Sequence, residues 1–431
     1  MIEVRKMRVA IFTGCFPKEP FIIEKMMRLV ERGLRIDLYC RESRDNREDG
    51  EAAARISSRV NVTFLPVLGW RSIWPKLPIL FAMLCSGLVR DPARTKRCLR
   101  YVKSRYGIGR GFIDPMLDLL RLLRIEADLL HFEWDYTAAQ YLDFLRLARI
   151  PIIVSCRGSG INVTPHSEPW LRDAYPEVFA LAARVHCVSS AIAKAAKEYG
   201  LEPSKVFINH PSVDIAAFSP SSQPDAAKRE APFTIVSSGR LHWIKGYQFG
   251  LMAARRLVEK GLSFRYLIVG DGPDKDELLF TIKSMRLEDV VELPGRLPRD
   301  DVRRILTRAD VFLLTSLAEG VSNSVVEAMA MEVPIVTTDV GGMSEVVRDG
   351  VEGYLVPPCD DEAVAERVER LFNDAELRRQ MGRSGRERVI ESFGLDSYLS
   401  RFIAFYESVL SDSKRQRAQG SAKGCNREPD V

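Results

Sequence analysis

The chain of 431 residues has no run of twenty apolar residues, so no helix of bilayer-spanning length is expected. Its first residues, MIEVRKMRVAIF, read as the start of a strand and not as a signal peptide. Eight cysteines lie scattered at 15, 40, 85, 98, 156, 187, 359 and 425, with no CxxC pair. Several fall within apolar, strand-like runs, and their pattern reads as reduced, buried thiols in a cytoplasmic protein. The five histidines have no metal-ligand spacing, and no internal repeat interrupts the chain.

What is present is ordinary in amount and unusual in distribution. The hydrophobic fraction of 46% and the charged fraction of 28% suit a globular protein of two or three domains. The net charge of +5 is unevenly spread. Residues 1–125 hold 25 Lys and Arg against 13 Asp and Glu, a net +12, so the rest carries −7. A basic first third points to an anionic partner surface, and phospholipid headgroups fit it better than nucleic acid. Within it, WRSIWPKLPILFAMLCSGLV (70–89) joins Trp70, Trp74 and an apolar stretch to Arg71, Lys76 and Arg90. This stretch fits two readings: an interfacial anchor on an anionic membrane, or a core helix packed on the N-terminal sheet.

Short apolar runs alternate with helical patterns almost throughout. RVAIF, RIDLYC, NVTFLPV, DLLHF, PIIVSC and RVHCVSS form one strand series. FTIVSSG, RYLIVGDG, VELPG, DVFLLTS, PIVTTD and GYLVPP form a second. SPSSQPDAAKREAP (219–232) lies between them and lacks periodicity. Two successive βα series divided by such a linker predict an α/β protein with two doubly wound Rossmann-like domains, and disfavour one closed barrel. The domains are expected at 1–220 and 221–392, with a helix over 393–410 packing back on the first. The polar end, 411–431, is expected to be disordered.

Three stretches carry chemistry. In SSGRLHWIKG, Gly239 lets the chain turn, and Arg240 and Lys245 stand near a helix start, an arrangement that suits a dianionic group. In LIVGDGPDKDEL, Gly270 and Gly272 permit a tight turn against a ligand. Asp274-Lys275-Asp276 resembles a metal-binding DxD, but its place after Pro273 marks acids in the first turn of a helix. In AEGVSNSVVEAM, Glu319 falls beyond the carboxyl end of a strand and Glu327 about a turn inside the next helix. Between them the N–H groups of Gly320, Val321, Ser322, Asn323 and Ser324 include helix-start donors suited to phosphate oxygens. A ligand with hydroxyls at both ends and phosphates in the middle matches this layout.

These elements, together with ELPGRL, GGMSEVVRDGVEGYLVPP and the final ESF, resemble the retaining family 4 glycosyltransferases of GT-B fold. The likeness runs from about 233 to 395, and residues 185–220 resemble the family's domain-crossing stretch. FPKEPFIIEKMMRLVERG resembles a subgroup associated with polysaccharide and exopolysaccharide assembly. The resemblance implies a nucleotide-diphosphate sugar donor, a glycan or lipid-linked acceptor, no cofactor and no metal. It implies that Arg240 and Lys245 bind the diphosphate, that Glu319 faces the donor sugar, and that Glu327 bonds the ribose. Ser322 to Ser324 would hold the phosphates, Gly270 the adjoining turn, and the backbone at Arg296 and Leu297 the base.

The chain departs from the family in two places. Where many members have His-Gly followed by Asp, it reads SCRGSGINV, with Arg157 and Gly158 at the pair and Gly160 near the acid. Arg157 is expected to face the cleft, toward an acidic sugar or acceptor. The N-terminal loop, TGCFPKEP, offers only Gly14. Gly14, Arg157 and Gly158 are the expected acceptor-side residues. The alternative from another class is a non-catalytic sensor or scaffold that binds a nucleotide sugar. The site of action is expected in the cytoplasm, peripheral on the inner face of the membrane.

Overall fold

The computed structural model describes residues 7–15, 19–41, 56–65, 74–220 and 232–424. Its first sheet contains β1 (Arg8–Cys15), β2 (Arg35–Arg41), β3 (Asn61–Leu65), β4 (Leu129–Phe132), β5 (Ile152–Cys156), β6 (Arg184–Cys187) and β7 (Val206–Ile208). They are all parallel, in the order β3-β2-β1-β4-β5-β6-β7. The second sheet contains β8 (Phe233–Ser238), β9 (Phe264–Val269), β10 (Val291–Gly295), β11 (Val311–Leu314), β12 (Ile335–Thr338) and β13 (Gly353–Val356). It too is parallel, ordered β10-β9-β8-β11-β12-β13. The central strands β4, β5, β11 and β12 are buried along their whole length. Helices cover both faces of such a sheet, which is why these strands read as apolar runs without alternation.

Strand order reverses between β1 and β4 in one sheet and between β8 and β11 in the other. Ligands of open α/β sheets bind beyond the carboxyl ends of the strands at such switch points. Gly14 is the penultimate residue of β1, and Glu133 to Thr137 follow β4. Gly239 and Arg240 follow β8, and Glu319 follows β11. The topology thus brings the predicted residues to two facing switch points.

The chain returns to its first domain at the end. Val213 and the Phe393–Leu395 segment pair as the two crossings, with Val213 N–H donating to Phe393 O and Leu395 N–H to Val213 O, both at 3.0 Å. The helix Leu395–Gly424 then lays Tyr398, Phe402, Phe405, Tyr406 and Val409 against Val9, Ile11, Ile36 and Leu129. This helix runs well past 410, so the expected disorder is corrected for 411–424; residues 425–431 lie outside the described residues. Lys, Arg, Gln and Ala propagate a helix that packing has already nucleated, even without an apolar stripe.

The basic insert forms the helices Lys76–Arg90, Pro92–Tyr106 and Arg110–Leu122, while Trp70 to Ile73 lie outside the described residues. The core-helix reading holds for one face of the stretch. Leu80 and Met83 join the core, whereas Trp74, Phe81 and Val89 are 75%, 71% and 85% exposed. Lys76 does not face solvent as an anchor would require: it is buried, with Nζ 2.9 Å from Asp114. Of the cysteines, Cys40, Cys98, Cys156 and Cys187 are buried thiols, but Cys85 and Cys359 are exposed, which corrects the reading for those two.

Candidate active site

The second domain's site begins where β8 ends. Gly239 N–H donates to Val269 O at 3.0 Å, and a Cβ on Gly270 would overlap the Gly239 carbonyl. The two turns therefore lie in direct contact, which is why glycine is needed there. After β8 a short 3-10 turn, Trp243–Lys245, leads through Gly246 (φ 59°) into the helix Tyr247–Glu259. Gly246 has no room for a side chain either, because a Cβ would strike the Thr315 carbonyl.

This turn aims Lys245 across to the loop after β11. Its Nζ donates to Glu319 Oε1 at 2.5 Å, and Ser316 Oγ donates to the same oxygen at 2.7 Å. The sequence placed both residues in the site without foreseeing that they pair. Arg240 stands exposed at the end of β8, as does Arg296 after β10, with Leu297 half-buried beside it. The helix Asn323–Ala330 starts just beyond Gly320 and Val321, with Ser322 as its N-cap and Ser322 Oγ 2.9 Å from Ser324 Oγ. Its first-turn N–H groups have no carbonyl within the helix to bond.

Glu327 sits one turn inside that helix. Burial pushes its carboxyl up to about 7; Arg299 at 4.0 Å works against this and Glu24 works with it. Arg299 also reaches the first domain, donating to Glu24 at 3.0 Å. Asp274 N-caps the helix Lys275–Ser284, with Asp276 and Glu277 in its first turn, as the sequence predicts.

The facing wall belongs to the first domain. Gly158 adopts φ 135°, and a Cβ there would come within 2.8 Å of Gly320 N. A Cβ on Gly320 would overlap the Arg157 carbonyl. The two loops therefore touch through backbone, next to Glu319. Gly14 lies under Tyr136, whose ring would stand 3.6 Å from a Cβ at that position.

The Arg157 side chain departs from expectation. Its guanidinium does not face the cleft but donates to Glu133 Oε2 at 2.5 Å and to Glu133 O at 3.1 Å, with Phe21 and Trp134 against it. Glu133 is fully buried and also accepts from buried Lys25 at 2.6 Å. Burial alone would raise the Glu133 carboxyl, but Lys25 and Arg157 hold it well below the usual range. Burial in turn lowers Lys25 to about 8. A charge placed this deep persists only with partners, and Arg157 is one of them.

Gly160 stands where the family's acid would fall, and Asp135 occupies that space from another element: a Cβ on Gly160 would overlap its carboxyl. Burial pushes Asp135 up to about 7, and its Oδ2 has no hydrogen-bond partner among the described residues. Lys25, Glu133, Asp135 and Glu345 escaped the sequence reading. The acids in HFEWD, directly after a buried strand, were the available signal for two of them.

Two Rossmann-like domains whose switch points face a common cleft define the GT-B architecture. Residues 19–217 match the family described as Glycosyltransferase Family 4, and residues 219–388 match Glycosyl transferases group 1. The chain belongs to the family 4 glycosyltransferases. It is 28% identical to WcaL of Escherichia coli K12, a glycosyltransferase named for colanic acid biosynthesis, over 90% of this chain and 96% of that one. It is 29% identical to the amylovoran biosynthesis glycosyltransferase AmsK of Erwinia amylovora, over 56% of this chain and 60% of that protein. Among solved structures, Anabaena Alr3699/HepE in complex with UDP superposes with TM-score 0.69 at 16% identity, covering 93% of this chain and all of that one. Sucrose-phosphate synthase from Thermosynechococcus elongatus gives TM-score 0.71 at 15% identity, covering 94% and 100%.

Proposed function

We propose that this enzyme transfers a sugar from a nucleotide-diphosphate donor to a hydroxyl of a glycan or lipid-linked acceptor, with retention at the anomeric carbon, in cell-surface polysaccharide biosynthesis. The observation that carries the reading is the Lys245–Glu319 pair at 2.5 Å, beside a helix start whose N-cap Ser322 makes no side-chain bond to it, and opposite Gly158. Lys245 and Arg240 receive the diphosphate and stabilise its charge as the sugar leaves, and the N–H groups from Ser322 to Ser324 add fixed donors. No metal is needed where two cations meet the leaving group.

Glu319 orients the sugar hydroxyls, and its Oε1 is already held by Lys245 and Ser316. In this reading it is not a covalent nucleophile: the acceptor hydroxyl attacks from the face the leaving group vacates and passes its proton to the departing phosphate oxygen. Holding that hydroxyl in place is the first domain's contribution. The relatives named for colanic acid and amylovoran biosynthesis support the assignment to polysaccharide assembly, and the UDP complex of HepE supports a nucleotide donor.

The exposed side chains of Trp74, Phe81 and Val89, with the exposed cations Lys96, Arg100 and Lys103 on the next helix, favour an anionic membrane as partner. No helix among the described residues is long and apolar enough to cross a membrane. The test of the chemistry is an assay over UDP-, GDP- and ADP-sugars with EDTA present, the product's anomer read by NMR. Inversion, or activity only after a divalent metal is restored, would refute the mechanism. Tight nucleotide binding with no sugar release from any donor would favour a sensor. For the membrane face, flotation with anionic liposomes should fall sharply in a Trp74→Ala/Phe81→Ala variant; unchanged flotation would discount it.

A further inference from the structure

The two domains are joined across the cleft by one carboxylate that no sequence motif assigned to either substrate. Glu345 ends the 3-10 turn Met343–Glu345 of the second domain. Its Oε2 accepts from Ser190 N at 3.0 Å, Ser190 Oγ at 2.9 Å and His210 Nε2 at 2.8 Å, while Oε1 accepts from Ala191 N at 3.0 Å. Ser190 and Ala191 open the first-domain helix Ser190–Glu198, whose own N-cap, Ser189, takes only the Ile192 N–H. A carboxylate at a helix start is favoured by the free N–H groups and by the helix dipole. Burial would raise Glu345, yet these donors hold it below the usual carboxylate range.

Its turn is anchored at the base. Arg388 donates to the backbone carbonyls of Glu345 at 2.9 Å and Val346 at 2.7 Å, and its guanidinium lies against Phe393 at the domain crossing. The same turn touches the donor loop: Gly342 N–H donates to Gly320 O at 2.9 Å, and a Cβ on Gly342 would collide with Ser189. Gly342 thus lies between the first-domain helix cap and Gly320, and Gly320 meets Arg157 and Gly158 on its other side. Any hinge motion that separates Glu345 from Ser190 also withdraws Gly158 from Gly320.

We propose that Glu345 is a positioning residue, a latch that fixes the register of the first domain against the donor loop and so holds the acceptor wall at Glu319. Arg299–Glu24 is a second bridge across the cleft, but it bonds through one contact and does not hold closure by itself. The latch makes four bonds to groups of fixed geometry. It touches neither donor nor acceptor, so its effect is on alignment.

The test uses the full chain without ligand, with Glu345→Ala and Glu345→Gln. Small-angle scattering of Glu345→Ala is expected to give a larger radius of gyration than wild type, with Glu345→Gln between them. Hydrogen exchange at Ser190 and Ala191 is expected to quicken at least tenfold, while the rest of that helix, capped by Ser189, exchanges as before. UDP, used as the nucleotide probe, is expected to bind within twofold of wild type, while kcat for sugar transfer drops tenfold or more. Unchanged scattering overturns the proposal, even if exchange quickens, because the carboxylate would then cap a helix without holding the domains. Should Glu345→Ala fail to fold, Ser190→Ala/His210→Ala removes two of the four bonds from the other side and is read identically. Only the kcat readout rests on the proposed transfer reaction. A chain inactive with every donor would refute that reaction and leave the scattering test standing.

Discussion

Glu327 offers the sharpest test of the donor site, because its protonation state changes near neutral pH. To accept bonds from both ribose hydroxyls the carboxyl must be ionised, and burial beside Glu24 raises it to about 7. Below that pH the site holds a proton that the donor must displace. The apparent dissociation constant then scales as one plus the ratio of protonated to ionised carboxyl. At pH 6 this weakens binding roughly tenfold, and at pH 8 by about a tenth. Affinity therefore rises with pH through 7 and levels above it. The assay is calorimetric titration of a nucleoside diphosphate from pH 5.5 to 8.5, on wild type and Glu327→Gln. The difference between the two curves removes the titration of the phosphate itself. Glu24→Gln should move the midpoint down, because it removes a neighbouring negative charge, and Arg299→Ala should move it up. A 2′,3′-dideoxy nucleotide should bind weakly and without the pH step. If wild type and Glu327→Gln give parallel profiles, Glu327 does not hold the ribose.

Other substitutions probe the framework. Lys25→Met removes one of two cations from buried Glu133 and should destabilise the fold by about 3 kcal/mol in urea unfolding, with Lys25→Met/Glu133→Gln recovering part of the loss. Gly246→Ala places a Cβ against the Thr315 carbonyl at φ 59° and should cost more than about 1 kcal/mol, with Lys245 displaced and transfer reduced. Tyr247→Phe deletes a buried hydroxyl that has no partner among the described residues, and should raise unfolding stability by up to about 1 kcal/mol. Glu319→Ala should leave nucleotide affinity nearly unchanged and abolish measurable sugar transfer, read by nucleotide release.

Much of this molecule was legible in its residues, and the parts that were not share a cause. The strands could be read because both faces of each central strand are buried, which imposes an unbroken apolar run. The places of Lys245, Glu319 and Glu327 in the fold could be read because strand-turn-helix chemistry leaves few places for a charge between a buried strand and a helix start. Arg157 is expected in the cleft because it stands where many family members have histidine, and only packing shows Glu133 drawing its guanidinium inward. The polar end of the last helix was read as disordered because local composition carried no apolar stripe. Its helicity is inherited from Phe402, Tyr406 and Val409, which pack many residues earlier.

Residue order by itself determined the two βα series, the glycines at the turns after β8 and β9 and the loop that carries both glutamates. These are local properties, set by periodicity over a few residues and by where a backbone needs room. Tertiary structure decided which charges meet. Lys245 and Glu319 lie 74 residues apart, Lys25 and Glu133 108, and Ser190 and Glu345 155. The first two pairs depend on strand order and packing within one domain and the third on how the two sheets face each other, and side-chain charges in a linear sequence carry no record of that distance.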